Sequence, residues 1–514
     1  GVLYGIPLNK ILGAGGAGVY GSAYPFYTYL LMLSTAGLPP TIAKLVAESV
    51  SKGDPAGAKK IFKISLLLMS GLGLVFSTTL FVFAKPIAVT YAQDPLAQMP
   101  IMAIAPAILF VSIMASIRGY FQGLQNMVPT AVSQIVEQVI KIIFGITLAV
   151  LLRPKGMEYG AMGAMIGISI SELLGLLVVI GFYIKKVPKI DKSIKSDKSA
   201  KNIIKSVLSI AFPILLGASI MPLVLMIDTN LIKVRLQSVG YTLESSRELF
   251  GLFTQFVNKV INVPGSISLA FCVSMVPAAA AAVAKRDNNL LKRNIFLGYK
   301  MSMMVALPSA VGLFVLAGPI MDLLYRSEFV EHPEYFLITT NLLKIMSGGI
   351  IFLSILQTFN GLLQGMGKVY VPVISLSIGA LIKVVLGYIL VGTAFFNIYG
   401  APISTFACYA VAAVIDIAIV KKLTDVKFNQ NKFNIKLVSS TSLMGLSVWF
   451  GYLALESLWG SRLATVISVF IGVIVFVMGL LIFKVLTKEE MNAIPGGSKL
   501  AKIYSLIWER KREA

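Results

Sequence analysis

The chain has 514 residues, of which 57% are hydrophobic and 13% charged, with a mean hydropathy of +0.84. Soluble proteins are about 45–50% apolar and about 25% charged, so the composition excludes a sizeable soluble domain. The net charge of +22 would suggest a nucleic-acid partner in a soluble protein. Here the lysines gather in loops between apolar runs, as the positive-inside bias of cytoplasmic loops expects, so no nucleic acid is implied.

Taken in order, the apolar runs predict an all-α polytopic membrane protein with fourteen transmembrane helices, each about 20 residues long. The first, 1–12, is too short to cross a bilayer and reads as the second half of a helix. No basic segment precedes it and no cleavage site follows, so it does not read as a signal peptide. The glycine run Gly13-Ala-Gly-Gly-Ala-Gly18 lacks the strand and the Lys-Ser/Thr of a phosphate loop. It reads as a flexible turn.

The second span, 19–48, is interrupted by Gly37, Pro39 and Pro40, and Lys44 and Glu48 follow one helical turn apart. A proline inside a helix removes a donor and clashes with the preceding turn, so these residues and Pro264 are candidate hinges. By itself the stretch fits a kinked helix with a snorkelling lysine as well as a moving, cavity-lining element. The remaining spans are expected at 61–84, 98–121, 128–152, 160–184, 203–232, 248–282, 294–317, 336–364, 370–392, 399–420, 434–456 and 461–486. Loops after even-numbered spans are basic, which places both termini in the cytoplasm.

An internal repeat organises these spans. Gln122-Gly123 and Ile140-Lys-Ile-Ile-Phe-Gly145 recur at one offset as Gln364-Gly365 and Ile382-Lys-Val-Val-Leu-Gly387. Phe83-Ala-Lys-Pro-Ile87 recurs as Leu316-Ala-Gly-Pro-Ile320, and Tyr159-Gly160-Ala161 as Tyr399-Gly400-Ala401. Each repeat holds six spans, an even number, so the halves run parallel about an axis along the membrane normal, a transporter arrangement. The expected lobes are 1–197 and 198–427, followed by two further helices and an amphipathic tail in 428–514. The connector 185–205 carries eight lysines and two aspartates and reads as a solvated loop. The tail 499–512 reads as an interfacial amphipathic helix.

Ionisable groups inside spans mark pathways or internal pairs. The candidates are Arg118, Glu137, Lys141, Glu172, Asp228, Lys259, Lys300, Lys344 and Lys383. Glu137 precedes Lys141 by four residues, the favourable order for a helical ion pair. Lys383 has Gly379 at that offset and must face a cavity, another helix or an anion. Lys259 is followed by Asn262, Pro264 and Gly265, which predicts another broken span. Asp228 suits a coupling ion, Na⁺ or H⁺, or a salt bridge to Lys259 or Lys233. Cys272 and Cys408 lie in apolar spans and imply no disulfide framework. The single histidine, His332, lies in a short polar loop, which argues against histidine-based metal or acid–base catalysis.

Gly13–Tyr20, Ala23-Tyr-Pro-Phe26 and Leu33–Glu48 resemble the SpoVB/YtgP group of MurJ-type lipid II flippases, in the multidrug/oligosaccharidyl-lipid/polysaccharide exporter superfamily. The resemblance implies two six-helix lobes around a cationic cavity that receives the pyrophosphate and sugars of an undecaprenyl-linked precursor. It implies a groove for the lipid tail beside the last two helices. It gives Lys44 and Lys259 substrate-facing roles; Arg118 and Lys383, read from the charges inside spans, are further candidate substrate-binding residues. Relatives often read Tyr-Arg-Ile-Pro where this chain has Tyr4-Gly5-Ile6-Pro7, which leaves no cation at that position. The resemblance also implies, for some members, a Na⁺ site of acids on the seventh and eleventh helices; Asp228 suits the first, and 370–392 holds no carboxylate for the second. The expected protein is a monomeric, cofactor-free transporter of the bacterial plasma membrane that works by alternating access. Competing readings are an exporter of another lipid-linked oligosaccharide, a cation-coupled drug antiporter and a membrane glycosyltransferase.

Overall fold

The computed structural model describes residues 2–186, 199–426, 430–487 and 490. The basic connector at 187–198 and the amphipathic tail at 499–512 lie outside the described residues. The regular elements are helical: α1 (Val2–Thr35), α2 (Leu38–Ser51), α3 (Pro55–Val82), α4 (Gln98–Gly123), α5 (Val128–Leu152), α6 (Met157–Lys186) and α7 (Ala200–Ser238). They continue as α8 (Leu243–Gly251), α9 (Asn258–Ala284), α10 (Asn288–Val315), α11 (Ala317–Glu331), α12 (Pro333–Gly365), α13 (Tyr370–Val391), α14 (Gly400–Thr424) and α15 (Asn431–Ile482). Twelve stretches among the described residues are long and apolar enough to cross a bilayer. Positive-φ glycines at Gly13 and Gly460 divide Leu3–Ser51 and Asn431–Ile482, so the fold is the fourteen-helix arrangement expected.

The glycine run corrects one expectation. Only Gly13 turns the chain, at φ 70° and ψ 179°, and the helix resumes immediately. Gly18 is helical and packed so closely that a Cβ there would strike the Arg247 carbonyl. The run therefore serves close approach of backbones rather than flexibility.

The break in the second span is present. Gly37 takes the left-handed conformation at φ 75°, and Pro39 and Pro40 fall in the first turn of α2, where backbone donors are unpaired in any case. The eighth span differs from expectation. Its helix runs unbroken through Pro264, and the irregularity comes earlier, as a π-helical segment over Leu252–Val257. A wider turn leaves room around carbonyls that an α-helix would pair, a feature frequent at functional sites.

Packing divides the chain into Gly1–Lys259 with Val384–Ala401, and Val260–Lys383 with Pro402–Ala514. The sequence repeat marks duplication, whereas this division marks which segments pack together. The described part of 428–514 packs within the second unit.

The repeat has a structural signature inside each unit. A Cβ on Gly119 or Gly123 of α4 would lie 2.9 Å from the Pro39 carbonyl and 2.7 Å from the Ala43 carbonyl of α2. Gly361 and Gly365 of α12 meet the carbonyls of Cys272 and Val276 on α9 in the same manner. Both pairs form a small-xxx-small seam, which lets helix backbones touch where lipid supplies no hydrophobic drive. Val276 is thereby the counterpart of Ala43. Gly119→Ala and Gly361→Ala each force such a contact apart. Each is expected to cost about 1–3 kcal/mol, the usual range for overpacking, read as a lower thermal midpoint in detergent.

Candidate functional site

In the first unit two of the interior cations, Lys259 and Lys141, come to the start of α1. A side chain at position 5 would begin 3.2 Å from the Lys259 Cδ, so Gly5 leaves the space that the Lys259 stem fills. The carboxamide of Asn9 donates to the Gln255 carbonyl at 2.7 Å, inside the π-helical segment. That bond takes up a carbonyl of the widened turn and ties α1 to the base of α9. Lys141 of α5 stands 5.1 Å above the Tyr4 ring. Gly145, the last residue of a repeat motif, is the place where Tyr4 packs, 2.8 Å from a would-be Cβ.

Glu137 is committed elsewhere than expected. It pairs with Arg118 of α4, whose Nε and second guanidinium nitrogen also donate to Ser133 Oγ at 3.0 and 2.7 Å. A guanidinium presents several donors in a fixed fork, which an ammonium one turn away cannot match. Arg118 thus has its charge met within the unit, and Lys141 is left facing the Tyr4 ring. Glu172 of α6 is half-buried.

Lys44 lies on the open face of α2, its side chain 61% exposed, with its ammonium 3.9 Å from Glu48. Asp228 and Lys383 are both buried. Gly379 lacks a side chain because α14 crosses there, with the Cys408 carbonyl 2.6 Å from a would-be Cβ.

One constellation went unseen in the sequence. Asp94, fully buried, accepts from Arg247 Nε at 2.9 Å and lies 2.9 Å from a second guanidinium nitrogen. Its other oxygen accepts from Ser22 Oγ at 3.1 Å, and Ser22 accepts from Lys233 Nζ at 2.9 Å. These residues join α1, the segment after α3, α7 and α8. Their separations in sequence carry no motif, and Lys233, expected as a partner for Asp228, stands 3.9 Å from Asp94. Asp416, buried in α14, was also missed among the charges inside spans. Among the described residues no group of three or more His, Cys, Asp or Glu is placed to hold a metal ion.

In the second unit, α9, α10 and the two halves of α15 enclose an apolar groove of about 480 Å³, lined by Pro264, Met304, Pro308, Met444, Val473 and Phe476 among others. No charged side chain lines it. Its chemistry suits a hydrocarbon chain. Beyond it, α10 carries Lys300 onto Glu490 at 2.6 Å.

An all-helical fold with fourteen spans, interior cations and an apolar groove fits a membrane transporter of the exporter superfamily noted above. The polysaccharide biosynthesis protein family matches residues 1–283, and the MatE family matches 253–389. The chain belongs to the polysaccharide biosynthesis protein family. It is 25% identical to stage V sporulation protein B of Bacillus subtilis (strain 168), over 95% of this chain and 93% of that protein. It is 27% identical to the lipid II flippase MurJ of the same organism, over 87% and 84%. A solved structure of lipid II flippase MurJ in an inward closed conformation matches with a TM-score of 0.63 at 18% identity, covering 94% of this chain and 99% of that one.

Proposed function

We propose that the protein moves a lipid-linked cell-wall precursor, lipid II, from the inner to the outer leaflet of the bacterial plasma membrane by alternating access. The observation that carries this reading is the pair of basic side chains at the start of α1, the Lys259 stem against Gly5 and the Lys141 ammonium over the Tyr4 ring. Cations shielded from bulk water attract a pyrophosphate more strongly than they would in solvent. The first-helix cation that relatives often carry is replaced here by Lys259 lying over the glycine. The apolar groove of the second unit supports the reading as a place for the isoprenoid tail, and no covalent step is required.

Headgroup translocation of labelled lipid II in liposomes tests the function. Lys44→Ala is expected to reduce it at least tenfold with the thermal midpoint unchanged, because an exposed i,i+4 pair contributes well under ~1 kcal/mol. Sugar-chain growth without translocation would refute the transporter reading. Sporulation protein B is about as similar as MurJ, so a second reading is export of a different lipid-linked saccharide. Transport of that lipid in preference to lipid II would select it.

A further inference from the structure

Within the first unit, α1 has two unlike faces. One buries Leu8, Leu12, Tyr20 and Phe26 in an apolar cluster whose fully buried members all come from residues up to Ile168, inside the first repeat. The other meets α7, α8 and the π-helical segment, which open the second repeat. A Cβ on Gly18 would strike the Arg247 carbonyl, and one on Gly251 would strike the Ala14 carbonyl. One on Gly21 would lie 3.0 Å from Thr254 Oγ1, 3.1 Å from Gln255 Nε2 and 3.2 Å from the Phe250 ring. These contacts are mostly to backbone and polar atoms. The hydrophobic cost of parting two surfaces scales with the apolar area exposed, so the second face separates more readily than the first.

The buried charges stand on this same seam. Asp94 and Ser22 belong to the first repeat, Lys233 and Arg247 to the second. Arg247 donates to Asp94 at 2.9 Å, and Lys233 donates to Ser22 at 2.9 Å with its ammonium 3.9 Å from Asp94. Asn230, three residues before Lys233 on α7, donates to the Tyr91 carbonyl in the segment after α3. Each of these contacts crosses from one repeat to the other. Asp94 follows the third span and Arg247 opens the eighth, which puts the cluster at the end of the unit where odd-numbered spans finish. Burying an ion pair costs much of what its attraction returns, and water gives that cost back when the pair separates. A charged contact therefore holds two faces together and still leaves both able to meet water.

We infer that Asp94 is a latch that holds the seam between α1 and α7–α8 shut at this end, by binding Arg247 directly and Lys233 through Ser22. When the latch opens, Asp94 and Ser22 stay with the first repeat, while Arg247 and Lys233 leave with α7 and α8. The glycine contacts at Gly18, Gly21 and Gly251 then part without uncovering the apolar cluster on the other face of α1. Its part in transport rests on the alternating access proposed above.

Ser22 is fully buried, so a thiol in its place reports the opening. Ser22→Cys is made in the full chain with Cys272→Ser and Cys408→Ser, and its reaction with a charged methanethiosulfonate is timed in detergent, below the thermal midpoint of every variant. Asp94→Asn should speed the reaction at least tenfold. Lys233→Met, which leaves the Arg247 contacts in place, should speed it by a smaller factor. Ser112→Cys is the control, because Ser112 is also fully buried but donates to Ser34 at 3.1 Å inside the first repeat. Its rate should not change with Asp94→Asn. Equal rates at Ser22→Cys with and without Asp94→Asn overturn the latch. An equal rise at Ser112→Cys overturns it too, since that marks general loosening. Added lipid II should speed the reaction at Ser22→Cys at least threefold while Asp94 is intact. No lipid II effect beside a persisting Asp94→Asn effect refutes only the transport reading, and intact lipid II flipping with no Asp94→Asn effect refutes only the latch.

Discussion

Asp94→Ala is expected to destabilise the protein by about 3–5 kcal/mol, seen as a large fall in the thermal midpoint in detergent. Asp94 is the carboxylate that Arg247 and Lys233 share, and all three side chains are buried. The intact cluster need not be a large net stabiliser, since taking ions out of water offsets much of their attraction. Removing one partner is different, because it leaves the other charges buried and uncompensated. That asymmetry separates the variants. Lys233→Met should cost less than Asp94→Ala, since Asp94 keeps two guanidinium contacts and loses only an ammonium 3.9 Å away. Lys233→Met should also recover part of the loss in an Asp94→Ala background. Equal midpoints for wild type and Asp94→Ala would show that the cluster holds nothing together.

Lys259→Ala should reduce lipid II translocation at least tenfold while the fold stays intact. The lysine stem fills the space over Gly5, so the substitution removes both a charge and packing. Lys259→Met separates them: it restores the stem without the ammonium and should remain inactive. Gly5→Val makes the converse test, because its side chain must push against the Lys259 stem 3.2 Å from the position-5 Cβ. It should impair transport with Lys259 still present. Lys141→Ala should act in the same direction, since that ammonium stands over the Tyr4 ring next to Gly5 in the chain. Transport unchanged in Lys259→Met would return that lysine to a packing role.

The features legible in the sequence were those written in local pattern. Apolar runs gave the spans, and the recurring Gln-Gly and Lys motifs gave the duplication, which the structure shows as paired glycine seams at Gly119/Gly123 and Gly361/Gly365. Gly37 with Pro39 and Pro40 was readable as a break because left-handed backbone and proline both act on their own residue. Contacts set by packing were not readable in this way. Glu137 and Lys141 have ideal spacing, yet Arg118 arrives from another helix and takes the carboxylate. Pro264 has the composition of a break but sits in a continuous helix, while Leu252–Val257 widens without any marking residue. Asp94, Ser22, Lys233 and Arg247 meet only because four segments fold together.

The turns between spans also decide how the protein can be mapped on its membrane. Gly53, Gly240 and Gly367 all have positive φ, and a Cβ at any of them meets nothing within 4 Å. A single cysteine there costs only about 1–2 kcal/mol of backbone strain and presents its thiol to reagent, whereas native Cys408 is buried and Cys272 is partly buried. Gly53 and Gly367 follow even-numbered spans and Gly240 follows an odd one. An impermeant maleimide applied to intact cells therefore modifies one set and spares the other, and so fixes the sidedness of the whole chain.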